Sequence, residues 1–274
     1  MTDDDSWALV DFGCPAEMSE ILAAELWDRG VAAIEEIAAG AGRVTLRTSL
    51  GNQPGAQLDA IVGLFPGISV TPVAVPRSVA DTWRKFVTAS HVTDDVWIVP
   101  EWCDRPAGRA VMVEPFDTFG LGNHPTTVLT LRAALECAQA HSTVMDLGSG
   151  SGVLAVGVAR LVGCRVDAHD IAPQARQALM HNARLNGVQD RVNWREELGA
   201  RDTGAYDIVL ANILAPVLRQ LSGDIQRAVR TGGFVVLSGL RSDQVDSVTG
   251  HFDRCTVHKV EELDGWAAVT LQRD

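Results

Sequence analysis

The sequence predicts an α/β protein with a smaller α+β unit ahead of the main domain. Two observations carry this. From Thr143 onward, short apolar runs alternate with helical patterns, and a cluster of glycines follows the first run. Before Pro76 the order differs: strand, helix, strand, strand, helix, strand. Strands alternating with helices give a mostly parallel sheet with helices on both faces.

In the first part, Trp7 to Phe12 reads as a strand. A helical pattern opens at Pro15 and runs to Arg29, where Gly30 stops it. Ala32 to Ile37 and Arg43 to Arg47 read as strands joined by the turn Ala39-Gly40-Ala41-Gly42. Ala56 to Phe65 is helical and ends at Pro66-Gly67, and Ile68 to Val75 is strand-like. This β-α-β-β-α-β order is the ferredoxin-like arrangement. Residues 1–75 are therefore expected to form a small domain, 76–95 a linker with a helical turn around Thr82 to Thr88, and 96–274 the main domain.

Trp97 to Val99 and Gly108 to Val113 read as strands. A loop from Glu114 to Thr127 leads into a helix ending near Ala140. Val144 to Leu147 is an apolar strand, Val153 to Val162 a helix closed by Gly163, and Cys164 to His169 a second strand. Pro173 to Asn186 is a helix with Pro at its start and Gly187 past its end. Val192 to Trp194 and Tyr206 to Ala211 are further strands, and Pro216 to Arg230 a helix. Gly232-Gly233 reads as a turn into the strand Phe234 to Ser238. A helix from Gln244 to Phe252 and strands at Thr256 to Val260 and Ala267 to Gln272 complete the chain.

The 274 residues are 46% hydrophobic, enough for a packed core, and the formal net charge is -12. That balance disfavours broad binding to phosphate backbones and fits a basic protein partner or a small molecule. Direct nucleic-acid binding is not expected. Five widely spaced cysteines show neither metal-ligand nor disulfide-framework spacing, so a reducing, cytoplasmic compartment is expected. The acidic start Met1-Thr2-Asp3-Asp4-Asp5 does not read as a signal peptide. The longest apolar run, Val153 to Val162, is broken by Arg160, so no membrane span is expected. No metal site is expected.

The segment Val144 to Gly152 reads VMDLGSGSG, after a strand and into a helix. Glycines let a backbone pass close to a ligand, and amides at a helix start favour electronegative atoms. Counting from Gly148, the third glycine of a dinucleotide fingerprint falls on Val153, and no Lys-Ser or Lys-Thr makes a phosphate loop. An acid, Asp146, stands two residues ahead of Gly148, Gly150 and Gly152. S-adenosylmethionine (AdoMet) has no phosphate but has an amino-acid end, which the Asp146 carboxylate and the amides of Gly148 to Gly152 are expected to hold. Asp170 ends the second strand, where a carboxylate can accept both ribose hydroxyls. The competing reading of Asp170 is a helix cap ahead of Pro173.

The fourth strand ends Ala211-Asn212-Ile213-Leu214. Asn212 is expected beside the methyl donor, where a neutral amide can hold an amine in line with the sulfonium; a plain turn residue is the alternative. No Pro-Pro-aromatic follows it to stack a nucleobase, which favours an aliphatic amine. Methyl transfer from a sulfonium needs little acid–base machinery. His124 is the one catalytic candidate of that kind, and holding the loop by hydrogen bonds is its alternative role. The His residues form no metal-spaced cluster. Glu196 and Glu197 stand within reach of an adenine, with solvated surface the blander reading.

Together these motifs resemble the ribosomal protein L11 methyltransferase (PrmA) family. The likeness runs over nearly the whole chain: the small leading unit, Trp97 to Trp102, Phe119 to Thr127, VMDLGSGSG, Asp170 to Ala175, Ala211 to Leu214 and Leu237-Ser238-Gly239. Gly122-x-His124-Pro125-Thr126-Thr127 is the most specific part. The resemblance implies a seven-stranded Rossmann-like AdoMet-binding domain in which Thr127, Gly148, Asp170 and Asn212 contact the cofactor. It implies an enzyme that methylates lysine side chains and the N-terminal amine of a large-subunit ribosomal protein, recognised by a leading domain that swings on its linker. Leu121 and Asn123 stand where the family usually has threonines, and Ser149 where it usually has cysteine. A related branch methylates lysines of a mitochondrial electron-transfer flavoprotein, so the motifs leave the substrate open. The other classes weighed are a dehydrogenase, which the missing third glycine opposes, a nucleic-acid methyltransferase, and a noncatalytic protein that keeps the fold.

Overall fold

The computed structural model describes residues 6–274 except 29, 30, 32, 33, 41, 51–53, 77–83, 85, 86, 117, 200 and 201. The helical turn expected around residues 82–88 lies largely outside the described residues. The chain divides into two compact units, Met1–Phe86 and Val87–Asp274.

The first unit contains strands β1 (Ser6–Pro15), β2 (Ile34–Ala38), β3 (Arg43–Thr48) and β4 (Ser69–Pro76) with helices α1 (Ala16–Asp28) and α2 (Pro54–Leu64). Its sheet is antiparallel, in the order β2-β3-β1-β4. Side chains alternate across a strand, so Val10, Phe12 and Cys14 of β1 share one buried face. There they pack with Leu22 and Leu26, one helical turn apart on α1, and with Leu46 and Ile61. Asp11 has the opposite parity and pairs with its register partner Arg47 through bonds of 2.7 and 2.9 Å.

The second unit opens with β5 (Ser90–Thr93), β6 (Val96–Pro100) and β7 (Arg109–Val113), a small sheet in that order. Strand β5 falls in residues expected as linker. Its pairing with β6 closes a tight turn at Asp94-Asp95, where the Asp95 carbonyl accepts the Arg109 amide at 2.7 Å. Then follow α3 (Pro125–Cys137), β8 (Thr143–Leu147), α4 (Val153–Val162), β9 (Arg165–His169), α5 (Ala175–Leu185), β10 (Val192–Trp194), β11 (Tyr206–Asn212), α6 (Ala215–Ala228), β12 (Val229–Arg241), α7 (Val245–Thr249), β13 (Cys255–Leu263) and β14 (Trp266–Arg273). The main sheet has the order β10-β9-β8-β11-β12-β14-β13. Its first five strands run parallel, and β14 is antiparallel to both of its neighbours.

The parallel strands are apolar at successive positions because both faces are covered. Val144, Ile208, Leu210 and Val236 join the cluster built with α3, α4 and α5. Met145, Val209, Ala211, Val235 and Leu237 join the opposite cluster with α6 and α7. One expectation is corrected here. Gly232-Gly233 is not a turn before a strand but lies inside β12, which already pairs through Val229 with Tyr206. The register shift between Tyr206 and Ile208 absorbs the extra residues, and Gly232 takes the positive φ this requires.

Strand β8 lies between β9 and β11. The connection from β8 crosses one face through α4, and the one from β11 crosses the other through α6. Neighbouring strands that send their crossovers to opposite faces leave a crevice at their carboxyl ends. Asp146, the glycine loop and Asn212 all stand at those ends.

Candidate active site

Leu147 ends β8, and the chain turns through Gly148, Gly150 and Gly152 at φ of 77°, 53° and 79°. A side chain on Gly150 would collide with the Phe119 carbonyl, and one on Gly148 with Ile213 of the turn after Asn212. The glycines therefore let two other chain segments approach. The Gly148 and Ser149 amides both donate to the His169 carbonyl, at 2.8 and 3.0 Å. Gly150 donates to Asp170 Oδ2 at 2.8 Å, Ser151 to the Phe119 carbonyl at 2.8 Å, and Gly152 to the Ser149 carbonyl at 2.7 Å. All five loop amides are thus engaged within the protein. Four of them hold the loop to the end of β9 and to the segment before α3, and that of Gly152 closes a turn inside the loop.

The groups left over are side-chain atoms. Thr127 Oγ1, Asp146 Oδ1, Ser149 Oγ and Asn212 Oδ1 are buried with no hydrogen-bond partner among the described residues. Asp146 is 0% exposed, and its Oδ2 accepts the Ala155 amide of α4 at 3.0 Å. Burial pushes its carboxyl up to about 7, against the Ala155 bond, which lowers it; the charge of Asp170 adds to the rise. Ser149 follows Gly148 in the loop, Asn212 ends β11, and Thr127 sits in the first turn of α3. A buried polar atom left without a hydrogen bond costs about 1–3 kcal/mol, so such atoms at the carboxyl ends of β8 and β11 and in the first turn of α3 mark places for polar ligand groups.

Asp170 is half-buried, with Oδ2 on the Gly150 amide and Oδ1 accepting the Ala172 amide at 2.7 Å. The turn-forming alternative is therefore present, yet each carboxylate oxygen retains a further lone pair. His124 caps α3: its Nδ1 accepts the Thr126 amide at 3.3 Å and lies 2.7 Å from Thr126 Oγ1. Its ring stands edge-on to Trp266, with centroids 4.7 Å apart, and burial pulls its pKa down. The neutral imidazole that caps the helix is thus the favoured form. Leu121 packs against the first core cluster and Asn123 is exposed. Glu196 is exposed and pairs with Arg176 at 3.2 Å.

Sequence reasoning missed Asn182 of α5 and Asn186, which caps the C-terminus of that helix. Both are buried and bond the backbone of β7 and the residue after it. Their signal was available: two amide side chains four residues apart on one face of an otherwise apolar helical stripe.

A mostly parallel sheet with its helices on both faces, a glycine loop after β8 and an acid after β9 place the chain among the α/β methyltransferases. It belongs to the ribosomal protein L11 methyltransferase (PrmA) family, whose model matches residues 77–274. A ribosomal protein L11 methyltransferase of Alteromonas mediterranea is 40% identical over 191 residues, which cover 69% of this chain and 65% of that one. Another, of Pectobacterium carotovorum, is 38% identical over 181 residues, 65% of this chain and 61% of its own length. The chain thus spans less than two thirds of these relatives. The crystal structure of a ribosomal protein L11 methylase from Lactobacillus delbrueckii matches with a TM-score of 0.62 and 26% identity, over 69% of this chain and all of that one.

Proposed function

We propose that this protein is an AdoMet-dependent methyltransferase that transfers methyl groups to amines, lysine side chains or the N-terminal amine, of ribosomal protein L11. The observation that carries the reading is the set of buried, unpartnered polar atoms at the carboxyl ends of β8 and β11 and in the first turn of α3. Their chemistry fits AdoMet. Asp146 Oδ1 and Ser149 Oγ suit its amino-acid end, with Thr127 Oγ1 a further partner. The spare lone pairs of Asp170 suit the ribose hydroxyls. Gly148, Gly150 and Gly152 contribute by shaping the loop.

When bound, AdoMet supplies a methyl group made electrophilic by a sulfonium. In this reading Asn212 Oδ1 accepts a hydrogen bond from the target amine and turns its lone pair toward that methyl. Holding two reactants in line contributes about 7–11 kcal/mol, against roughly 4–5 kcal/mol to deprotonate a lysine at neutral pH. A water-poor pocket beside a positive sulfonium lowers that cost. His124 acts by capping α3 and fixing the loop before it, so no dedicated base is assigned. The finer reading of the folds is a seven-stranded Rossmann-like cofactor domain and a ferredoxin-like leading domain. The latter is assigned substrate recognition, with a linker between them, in a cytoplasmic protein.

The test is to incubate the purified protein with AdoMet and unmodified ribosomal protein L11 and to weigh the product by mass spectrometry. Mass gained in methyl steps, and lost in Asp170→Ala, supports reaction and substrate together. AdoMet binding without mass gain removes L11 as the substrate. Absence of AdoMet binding overturns the reading.

A further inference from the structure

Ser151 is 0% exposed and uses all of its polar groups to join three segments. Its amide donates to the Phe119 carbonyl at 2.8 Å, and its hydroxyl to the Gly120 carbonyl at 2.6 Å. Its own carbonyl accepts from Asn182 Nδ2 at 2.9 Å. Asn182, also 0% exposed, has its other bonds on Glu114: Oδ1 accepts the Glu114 amide at 2.9 Å and Nδ2 donates to the Glu114 carbonyl at 2.8 Å. One carboxamide therefore ties the start of the 114–124 segment to the glycine loop, while Ser151 ties its middle to the same loop.

Phe116 sits at a φ of 49°, in the left-handed region an aromatic residue rarely adopts, and Gly120 and Gly122 are at 106° and 96°. The glycines adopt such angles freely, but Phe116 persists there only when surrounding bonds over-determine it.

Asn186 provides an internal comparison. It caps the C-terminus of α5, four residues after Asn182, and Asn182 and Asn186 are 0% and 7% exposed. Its Oδ1 accepts the Met112 amide at 2.9 Å, and its Nδ2 donates to the Met112 and Asn182 carbonyls at 2.7 and 2.8 Å. It repeats the pairing of Asn182 with one residue's amide and carbonyl, but its third bond goes to the Asn182 backbone carbonyl and not to the glycine loop.

We propose that Asn182 is a positioning residue for the cofactor site, acting through Ser151 to lock the glycine loop and the 114–124 segment into one preorganised unit. The inference rests on the reading that AdoMet binds at the glycine loop. Asn182→Asp keeps the shape but replaces two donors with an acceptor facing the Glu114 and Ser151 carbonyls. Asn186→Asp does the same chemical damage away from the loop.

The experiment compares wild type, Asn182→Asp and Asn186→Asp by thermal melting, calorimetric AdoMet titration and hydrogen exchange without ligand. The expected result is a similar loss of Tm in both variants. Only Asn182→Asp weakens AdoMet, by at least about tenfold, and only it speeds exchange at residues 118–124 and 149–152. Equal effects of the two variants on Kd, or none, overturn the proposal. If Asn182→Asp does not fold, Asn182→Ser takes its place under the same criteria. Wild type that binds no AdoMet refutes the function reading instead, and the ligand-free exchange comparison then decides this inference alone.

Discussion

The Asp170 carboxylate accepts the amide of Gly150 at 2.8 Å, so the residue expected to meet a ribose also holds the glycine loop in place. Its two roles predict a graded response. Asp170→Asn keeps the shape, loses the charge and sets an amide donor or a single acceptor against two backbone amides. Hydrogen bonds to charged groups contribute about 1.5–3 kcal/mol, so the AdoMet Kd should rise about 10- to 100-fold. Asp170→Ala should exceed that, with a fall in Tm because the loop loses its tie. Titration calorimetry reads the Kd; a Kd unchanged in Asp170→Asn would remove the carboxylate from the cofactor site.

Asp146 predicts an unusual pH dependence. Its folded-state pKa is about 7 against an ordinary value of 3.8. Between those values the native state holds the proton that the unfolded state has lost, so stability falls as pH rises through this window and levels off above about 7. At about 1.4 kcal/mol per unit, the full change is about 4 kcal/mol. Denaturant titrations from about pH 4 to about pH 8 should show this slope in the ligand-free protein and its absence in Asp146→Asn. AdoMet should act the other way, because its ammonium group favours the ionised carboxylate. Affinity should climb toward pH of about 7 and decline once the ligand's amine, with a reference pKa of about 8, loses its proton. Affinity that is flat across this range would separate Asp146 from the ligand's amino end.

Asn212 predicts a trade of stability against activity. Its Oδ1 is buried without a partner among the described residues. Asn212→Ala removes an atom whose isolation costs about 1–3 kcal/mol, so the ligand-free protein should be no less stable than wild type. Methyl transfer in a single-turnover assay should nevertheless drop about 100-fold, because the amine loses its alignment. A variant that is both destabilised and fully active would make Asn212 a turn residue.

What the sequence by itself determined was whatever depends on near neighbours. The apolar runs from Val144 onward, the stop at Gly163, the Gly187 cap and the turn glycines before Val153 are signals within a few residues of their effects. They place Asp146, Asp170 and Asn212 at strand ends without reference to the rest of the chain. The tertiary structure decided who bonds to whom. The loop amides have His169, Asp170, Phe119 and Ser149 as acceptors, and the Asp170 bond spans 20 residues. The segment taken as linker holds β5, because its edge is completed by β6. Gly232 lies within β12, because the strand is paired before it reaches the glycine. Asn182 reaches Glu114 across 68 residues. Local conformational preference is a property of a short window of side chains. Hydrogen-bond partners are set by which distant groups packing brings together and which buried donors must then be satisfied, and no window along the chain contains both halves of such a pair.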